Sequence, residues 1–172
     1  MAAQSPKPSE RSTKPQRTWQ TSRWLPAEVR TRPLDKGPNG LNLCRWCREE
    51  VPTRRHSYCS ANCVHEWNLR VSNSYLRTHV YRRDKGICCR CRMDTKAVQI
   101  ELRALSADVR RLRLAAMGLT EKRLQKSLWE GDHILPVSEG GGCCGLENMR
   151  TLCFHCHRLE TARLRKRLTI HG

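Results

Sequence analysis

The residues best suited to chemistry lie near the C-terminal end of the chain. Asp132 and His133 are adjacent, Asn148 follows, and a run from Cys153 to His157 completes the set. A carboxylate oxygen and an imidazole nitrogen can bind one divalent ion, and a second imidazole, with an ordinary pKa near ~6.5, can accept a proton from water. Hydrolysis of a phosphodiester bond requires both an activated water and a stabilised transition-state charge. The set therefore indicates a metal-dependent hydrolytic site.

The spacing of the C-terminal cysteines separates them from His157. Residues 152–168 contain neither proline nor glycine and are predicted to form one helix. On such a helix Cys153 and Cys156 share a face, whereas His157 lies about 100° further round. His157 is therefore not expected to bind the same ion as the two cysteines. Two kinds of metal site are indicated, one structural and one reactive.

The chain around Asp132 must bring two adjacent side chains to one site. Neighbouring residues on a regular strand point to opposite faces, so Asp132 and His133 must straddle a strand end or a bulge, and Gly131 is compatible with this. The apolar residues 134–137 are predicted to bury beside a second strand. Glycines 140–142 are predicted to form a flexible connection.

Eleven cysteines, most of them in close pairs, predict zinc rather than disulfides. Thiolates are soft ligands that select zinc in tetrahedral four-cysteine sites, and a Cys-x2-Cys pair presents two sulfurs from one turn. Two structural Zn²⁺ ions are predicted, the first bound by Cys44, Cys47, Cys59 and Cys63, and the second by Cys88, Cys91, Cys153 and Cys156. Cys89 is an alternative to Cys88. No role is assigned to Cys143 and Cys144.

The composition points to a nucleic-acid partner. The 172 residues carry a formal net charge of +17 with a pI near 10.0, which favours a polyanion. The odd cysteine count argues against a secreted disulfide framework, and no apolar run approaches the ~20 residues of a membrane span. We expect an intracellular protein, nuclear in a eukaryote and cytoplasmic in a bacterium. The single phenylalanine predicts a thin core, which each structural zinc would reinforce by about 10–16 kcal/mol.

The N-terminal segment differs in composition from the rest. Residues 1–40 hold six of the eight prolines and are predicted to be a disordered basic tail, in which Trp19 and Trp24 can dock on the domain or contact a partner. A helix is predicted from His65 to Tyr81. The predicted segments are the tail (1–40), a four-cysteine zinc knuckle plus helix (41–81), and a third unit (82–172) with a helical insertion (94–130).

The insertion contains the clearest helical pattern, over residues 97–117. Apolar residues recur there every three or four positions, at Val98, Leu102, Leu105, Val109, Leu112 and Ala116. Gly118 is a predicted stop, and Thr120 a predicted cap for a second helix through Leu128. The stripe is short for a sustained coiled coil, so packing on its own domain is favoured over a dimer seam.

Together these motifs resemble a known family. The pattern Asp132-His133-x14-Asn148-x4-Cys153-x2-Cys156-His157 is similar to the HNH, or ββα-metal, endonucleases. The wider run over residues 41–167 resembles one subgroup, the HNH domain at the C-terminus of zinc-finger, Ran-binding-domain annealing helicases. The motor of those helicases is not found in this sequence, so ATP-driven fork remodelling is not expected of it.

The resemblance implies an α+β fold, a zinc-stabilised ββα-metal module with a helical insertion and a preceding four-cysteine knuckle. His133 is the predicted general base, while Asp132 and His157 bind one catalytic divalent ion, with Mg²⁺ or Mn²⁺ favoured. Asn148 either accepts a hydrogen bond from the imidazole, bridges the loop, or binds the ion. Contacts to DNA phosphates are expected from the basic end of the last helix, at Arg158, Arg163, Arg165, Lys166 and Arg167.

The predicted function is a metal-dependent HNH endonuclease acting on duplex or branched DNA, and the resemblance implies structure-selective cutting in repair. A helicase or repair protein acting in trans is a candidate partner, and the oligomeric state stays open. One alternative is a non-catalytic, zinc-stabilised module that binds nucleic acid. Another is a zinc module that binds protein through the first knuckle. Metal-dependent nicking that His133→Ala abolishes would separate the enzyme from both.

Overall fold

The computed structural model describes residues 22–171, so Trp19 and the other residues of 1–21 lie outside the described part of the chain. The helices are α1 (Ala27–Thr31), α2 (Ala61–Val71), α3 (Asn73–Asp84), α4 (Thr95–Ala104), α5 (Ala107–Ala116), α6 (Glu121–Gln125) and α7 (Phe154–His171). The strands are β1 (Trp129–His133) and β2 (Met149–Cys153), and two short 3₁₀ turns, Val137–Glu139 and Leu146–Asn148, lie between them. The mixed α+β class is as predicted. No helix within residues 22–171 is long and apolar enough to cross a membrane.

The two strands and the last helix form a continuous ββα unit. β1 and β2 pair antiparallel, with Asp132 opposite Arg150 and His133 opposite Met149. β2 leads directly into α7, so the helix predicted over 152–168 begins at Phe154 instead. Leu152 is fully buried and paired with Glu130, and strand pairing of this kind overrides local helical propensity. Cys153 consequently ends a strand.

The apolar run 134–137 is not buried beside a second strand, so this prediction was wrong. Ile134 is 53% exposed and Leu135 45% exposed. β1 is made by the five preceding residues, whose pairing with β2 continues only as far as the Ile134 N–H, which donates to the Asn148 carbonyl. Pro136 cannot donate to a strand ladder, so the chain leaves the sheet there.

Serines interrupt both helices that were predicted to be continuous. At Ser72 the hydroxyl accepts a hydrogen bond from the Tyr75 N–H, which starts α3 as a new helix. At Leu105 the backbone is extended (φ −73°, ψ 152°), and α5 begins after Ser106. The break lets α4 and α5 face the same core.

The insertion has its own small core. Its buried residues are Leu102, Leu114, Leu119, Leu124 and Leu128. The single phenylalanine, Phe154, packs against this core and joins the insertion to α7. Val109 and Leu112 were placed on the buried stripe but are 47% and 73% exposed, because the break before α5 rotates its apolar face. Gly118 has a positive φ of 64°, and Thr120 caps α6, as predicted, but α6 ends at Gln125 instead of Leu128.

Residues 22–40 were predicted to belong to the disordered tail, but several of them contact the rest of the domain. Leu25 is 3% exposed and its N–H donates to the Arg70 carbonyl, while Trp24 packs against the buried Leu69, Leu76, Val80 and Met149. Apolar contacts therefore hold Trp24 and Leu25 on the domain, which the low hydropathy of the surrounding sequence concealed. The predicted boundary between residues 81 and 82 falls inside α3. The division into 1–40, 41–81 and 82–172 stays a prediction.

Candidate active site and metal sites

Two clusters of four cysteines can each hold a metal ion. The groups are Cys44, Cys47, Cys59 and Cys63 (the first tetrad), and Cys88, Cys91, Cys153 and Cys156 (the second tetrad). Within each tetrad all sulfurs lie within 4.8 Å of one another. Zinc–sulfur bonds of about 2.3 Å place tetrahedral sulfurs about 3.8 Å apart, and the Sγ atoms of Cys91 and Cys153 are 3.7 Å apart. Both donor sets fit zinc, and Cys88 rather than Cys89 belongs to the second.

The backbone around each tetrad favours bound thiolates. Burial opposes ionisation, yet backbone N–H groups lower the pKa of Cys44 to about 7 and the pKa of Cys88 to about 7. Burial and neighbouring sulfurs raise the pKa of Cys47 and Cys156. Four thiolates so close together require a cation to balance their charge. The chemistry of both donor sets therefore matches a structural divalent metal.

The two Cys-x2-Cys knuckles share a turn that the sequence analysis missed. The residue after each second cysteine has a left-handed backbone, with φ 67° at Arg48 and φ 62° at Arg92. The N–H groups of Arg48 and Arg92 donate to the carbonyls of Cys44 and Cys88 at 3.0 and 2.9 Å. Glycine is the usual residue at such positions, so arginine gave no local signal for the turn.

The second tetrad joins distant parts of the chain. Cys88 and Cys91 precede α4, Cys153 ends β2, and Cys156 lies in the first turn of α7. The Cys89 N–H also donates to the Thr151 carbonyl at 2.9 Å, which fastens the knuckle to β2. A metal bound here would hold the ββα unit together across the insertion, as the sequence predicted.

Asp132 and His157 converge on one point. The Asp132 Oδ1 atom lies 3.9 Å from the His157 Nε2 atom, and the two side chains are 21% and 36% exposed. Two metal–ligand bonds of about 2.1 Å reach at most about 4.2 Å, so the two atoms are close enough to share one divalent ion. Because α7 starts at Phe154, His157 reaches this point from its first turn while Cys156 stays with the zinc tetrad.

An arginine that the sequence analysis missed holds the Asp132 carboxylate. Arg150 donates to Asp132 Oδ2 through Nε at 2.9 Å and Nη2 at 2.7 Å, leaving Oδ1 toward His157. Glu160 in turn accepts from Arg150 at 3.1 Å, from Arg90 at 2.9 Å and from Arg163 at 2.7 Å. Burial opposes the change, but these arginines lower the pKa of Glu160. The register of β1 and β2, which puts Arg150 opposite Asp132, is the feature that identifies this arginine.

His133 lines a cleft together with Asp132. The cleft has a volume of about 490 Å³, and Asp132, His133 and Arg150 all line it. The adjacent Asp132 and His133 reach it because β1 ends at His133, and the described register contains no bulge. Burial first, and then the charge of Arg23, lower the pKa of His133, while Asp132 opposes them. The imidazole is therefore neutral and able to accept a proton at neutral pH.

Asn148 serves the loop between the strands. Its Oδ1 accepts from the Leu135 N–H at 2.8 Å, and its Nδ2 donates to the carbonyls of Leu135 at 3.0 Å and Gly141 at 2.7 Å. Of the three predicted arrangements, the bridge across the loop is present. A role toward the imidazole or the ion stays a prediction. A Cβ on Gly141 would lie 1.8 Å from the Leu135 carbonyl oxygen, so the glycine is required for close approach rather than for flexibility.

Of the five predicted phosphate-binding residues, Arg167 alone is in the lining of the cleft. Arg167 lines the cleft and pairs with Glu139 at 3.0 Å, and Arg163 is bound to Glu160. Arg158 lies over the Phe154 ring, away from the cleft lining. Arg165 and Lys166 are exposed on α7. The cleft is also lined by three arginines that were not predicted to contact phosphates: Arg23, Arg90 and Arg150.

The ββα unit of this chain matches a known protein family. The family model described as HNH endonuclease matches residues 120–163, which include both strands and the start of α7. The chain is also 34% identical to the human ZRANB3 HNH domain, and the match covers 95% of the chain in that crystal structure. The chain belongs to the HNH endonuclease family. That match covers 58% of this chain with a TM-score of 0.46.

Curated relatives of this HNH chain are much longer proteins. It is 35% identical over 147 residues to the "DNA annealing helicase and endonuclease ZRANB3" of Bos taurus, and 34% identical over 147 residues to that of Homo sapiens. Each alignment covers 74% of this chain and 14% of the relative. The chain thus spans about one seventh of the length of these relatives.

Proposed function

We propose that this HNH chain is a metal-dependent endonuclease that hydrolyses phosphodiester bonds in DNA. The observation that carries the proposal is the convergence of Asp132 Oδ1 and His157 Nε2, 3.9 Å apart, in the neighbourhood of the cleft that His133 lines. Asp132 and His157 would hold a Mg²⁺ or Mn²⁺ ion. When bound, such an ion would supply Lewis-acid stabilisation of charge on the phosphate.

The chain's own residues supply the remaining functions. His133, with its lowered pKa, accepts the proton of the attacking water. Arg150 fixes the orientation of the Asp132 carboxylate, and Asn148 holds the loop that follows His133. Arg23, Arg90 and Arg167 line the cleft and suit the phosphate backbone of a bound strand. Contacts of this kind give affinity without reading sequence.

Three observations support DNA as the substrate. The net charge is +17, the cleft is lined by four arginines among the described residues, and the ZRANB3 relatives are named as DNA enzymes. We further propose that the DNA it cuts is branched or forked, and that it acts in repair. Cysteine tetrads that bind zinc need a reducing compartment, which supports an intracellular protein. We propose that it is nuclear in a eukaryote. A helicase or repair protein is the candidate partner.

Nicking of supercoiled plasmid and of fork DNA, with and without Mg²⁺ or Mn²⁺, tests the proposal. We expect His133→Ala to lower the cleavage rate about 10²–10⁴-fold while DNA binding and folding are unchanged. His155→Ala is the matched control, since His155 is an exposed histidine of α7 that makes no predicted contribution. Equal cleavage by His133→Ala and the parent protein would show that His133 is not the base.

Asp132→Ala and His157→Ala should behave differently from His133→Ala. Loss of a ligand weakens binding of the ion, so high Mn²⁺ should partly restore cleavage by these two variants only. If no ion supports cleavage by the parent, salt-dependent DNA binding would establish the non-catalytic nucleic-acid module. Absence of such binding would favour the protein-binding zinc module.

A further inference from the structure

A second cavity of about 590 Å³ lies beside the candidate active site. It opens to solvent and is bounded by α1, the turn that contains Trp46, α2 and the loop between the strands. Its wall includes the apolar side chains of Val29, Trp46, Trp67 and Leu135. Four arginines line it, among them Arg32 and Arg70, against one acidic residue among the described lining, Glu147. A cavity of about 300–1,000 Å³ with apolar walls is typical of a site for a small organic group.

The cavity and the active-site cleft share one wall. Leu135 lines the cavity, whereas its neighbours Ile134 and Pro136 line the cleft, and consecutive Cα atoms are only about 3.8 Å apart. Ile134 and Leu135 are 53% and 45% exposed, so they form an apolar ridge between the two spaces. The Asn148 hydrogen bonds to Leu135 hold this ridge in place.

We propose that this cavity binds an unpaired nucleobase of the DNA strand whose backbone lies in the cleft. The inference rests on the proposed function, because it takes DNA to be the ligand of the cleft. A base presents a flat apolar body and belongs to a polyanion, which matches apolar walls with arginines around them. The Arg70 guanidinium lies 4.3 Å from the centre of the Trp46 ring and is paired with Glu66 at 2.7 Å, so it contributes a fixed planar surface to the wall.

The site would make unpaired DNA the preferred substrate. A base inside a duplex must be unpaired and unstacked before it can enter a pocket, whereas a base at a fork or flap is already free. The ridge of Ile134 and Leu135 stands where the strand would turn from the cleft into the cavity. Structure selectivity would then originate in this cavity rather than at the hydrolytic residues.

Binding of labelled single-stranded oligonucleotides, measured by fluorescence anisotropy without added divalent ions, tests the proposal. One oligothymidylate is normal, and the other has the same backbone with its central bases removed. We expect the parent protein to bind the normal strand about tenfold more tightly, the effect of stacking one or two bases. Val29→Glu and Leu135→Ala should lose this preference. Val109→Glu, at an exposed apolar position on α5, should keep it.

Each outcome decides between possibilities. Equal affinity of the parent for the two strands would overturn the nucleobase site and leave the cavity to an apolar peptide side chain. A preference that survives in both cavity variants would overturn it as well. Leu135→Ala removes only a 45% exposed side chain, so it separates a binding defect from misfolding of Val29→Glu. Plasmid nicking by the same parent preparation is a separate measurement. If the parent prefers the normal strand but does not nick plasmid, the endonuclease proposal alone is overturned.

Discussion

At the scale of single residues, the arrangement of Asp132 depends on its opposite neighbour across the sheet. Arg150 binds one carboxylate oxygen twice and leaves the other toward His157. Residues that orient a metal ligand typically contribute about 10–100-fold to metal affinity. We expect Arg150→Gln to raise the Mn²⁺ concentration needed for half-maximal nicking about 10–100-fold, with the rate largely recovered at saturating Mn²⁺.

The control for this prediction is Arg158→Gln, which removes the same charge from an exposed arginine of α7. It should leave the Mn²⁺ dependence unchanged. Thermal unfolding of both variants separates metal affinity from stability, because Arg150 also contacts Glu160. An Arg150→Gln protein with the parent's Mn²⁺ dependence would show that Asp132 needs no such support.

At the scale of elements, the second tetrad connects β2, α7 and the knuckle before α4. Loss of one ligand removes much of the folding free energy that a bound zinc contributes, about 10–16 kcal/mol in small zinc peptides. We expect Cys156→Ser to lower the zinc content from two ions to one per chain and to unfold the ββα unit. Cys89→Ser should keep both ions, since Cys89 is exposed and outside the tetrad.

Mass spectrometry under native conditions measures the zinc content, and hydrogen exchange in β2 and α7 measures local unfolding. The two cysteines lie close to the same site, so Cys89→Ser controls for the loss of any thiol. Two ions retained by Cys156→Ser, or one ion lost from Cys89→Ser, would show that the second tetrad uses a different set of sulfurs.

At the scale of the whole molecule, the charge of +17 is spread over several faces, but only some of it lines the cleft. Each phosphate contact contributes about −0.9 to the slope of log affinity against log salt on duplex DNA. We expect Arg90→Gln combined with Arg167→Gln to make the slope shallower by nearly two. The control, Arg110→Gln combined with Arg111→Gln, removes the same charge from α5.

Both arginine pairs form ion pairs in the free protein, so the comparison isolates position. Isotherms over a range of salt concentrations on one duplex give both slopes. Equal changes in the two double variants would mean that the net charge, rather than the cleft, attracts DNA. A larger change in the α5 variant would place the DNA path along the insertion.

The sequence by itself determined the chemistry that this chain has available. Cysteine pairs at fixed spacing identified both tetrads, and Asp132, His133 and His157 were recognised by residue type and order. Local signals such as the Thr120 cap and the Gly118 stop were also readable, because they depend only on residues within one turn. Such features follow from short-range geometry, which a linear pattern contains.

The tertiary structure alone decided how these groups are oriented. Arg150 meets Asp132 across 18 residues of chain, and Asn148 bridges the loop between the strands. The Leu25 N–H donates a hydrogen bond to the carbonyl of Arg70 in α2, forty-five residues further along the chain. Leu152 joins a strand despite a helical pattern. Pairing and burial between distant segments are energetically larger than local propensity, and neither is encoded in the periodicity of either segment alone.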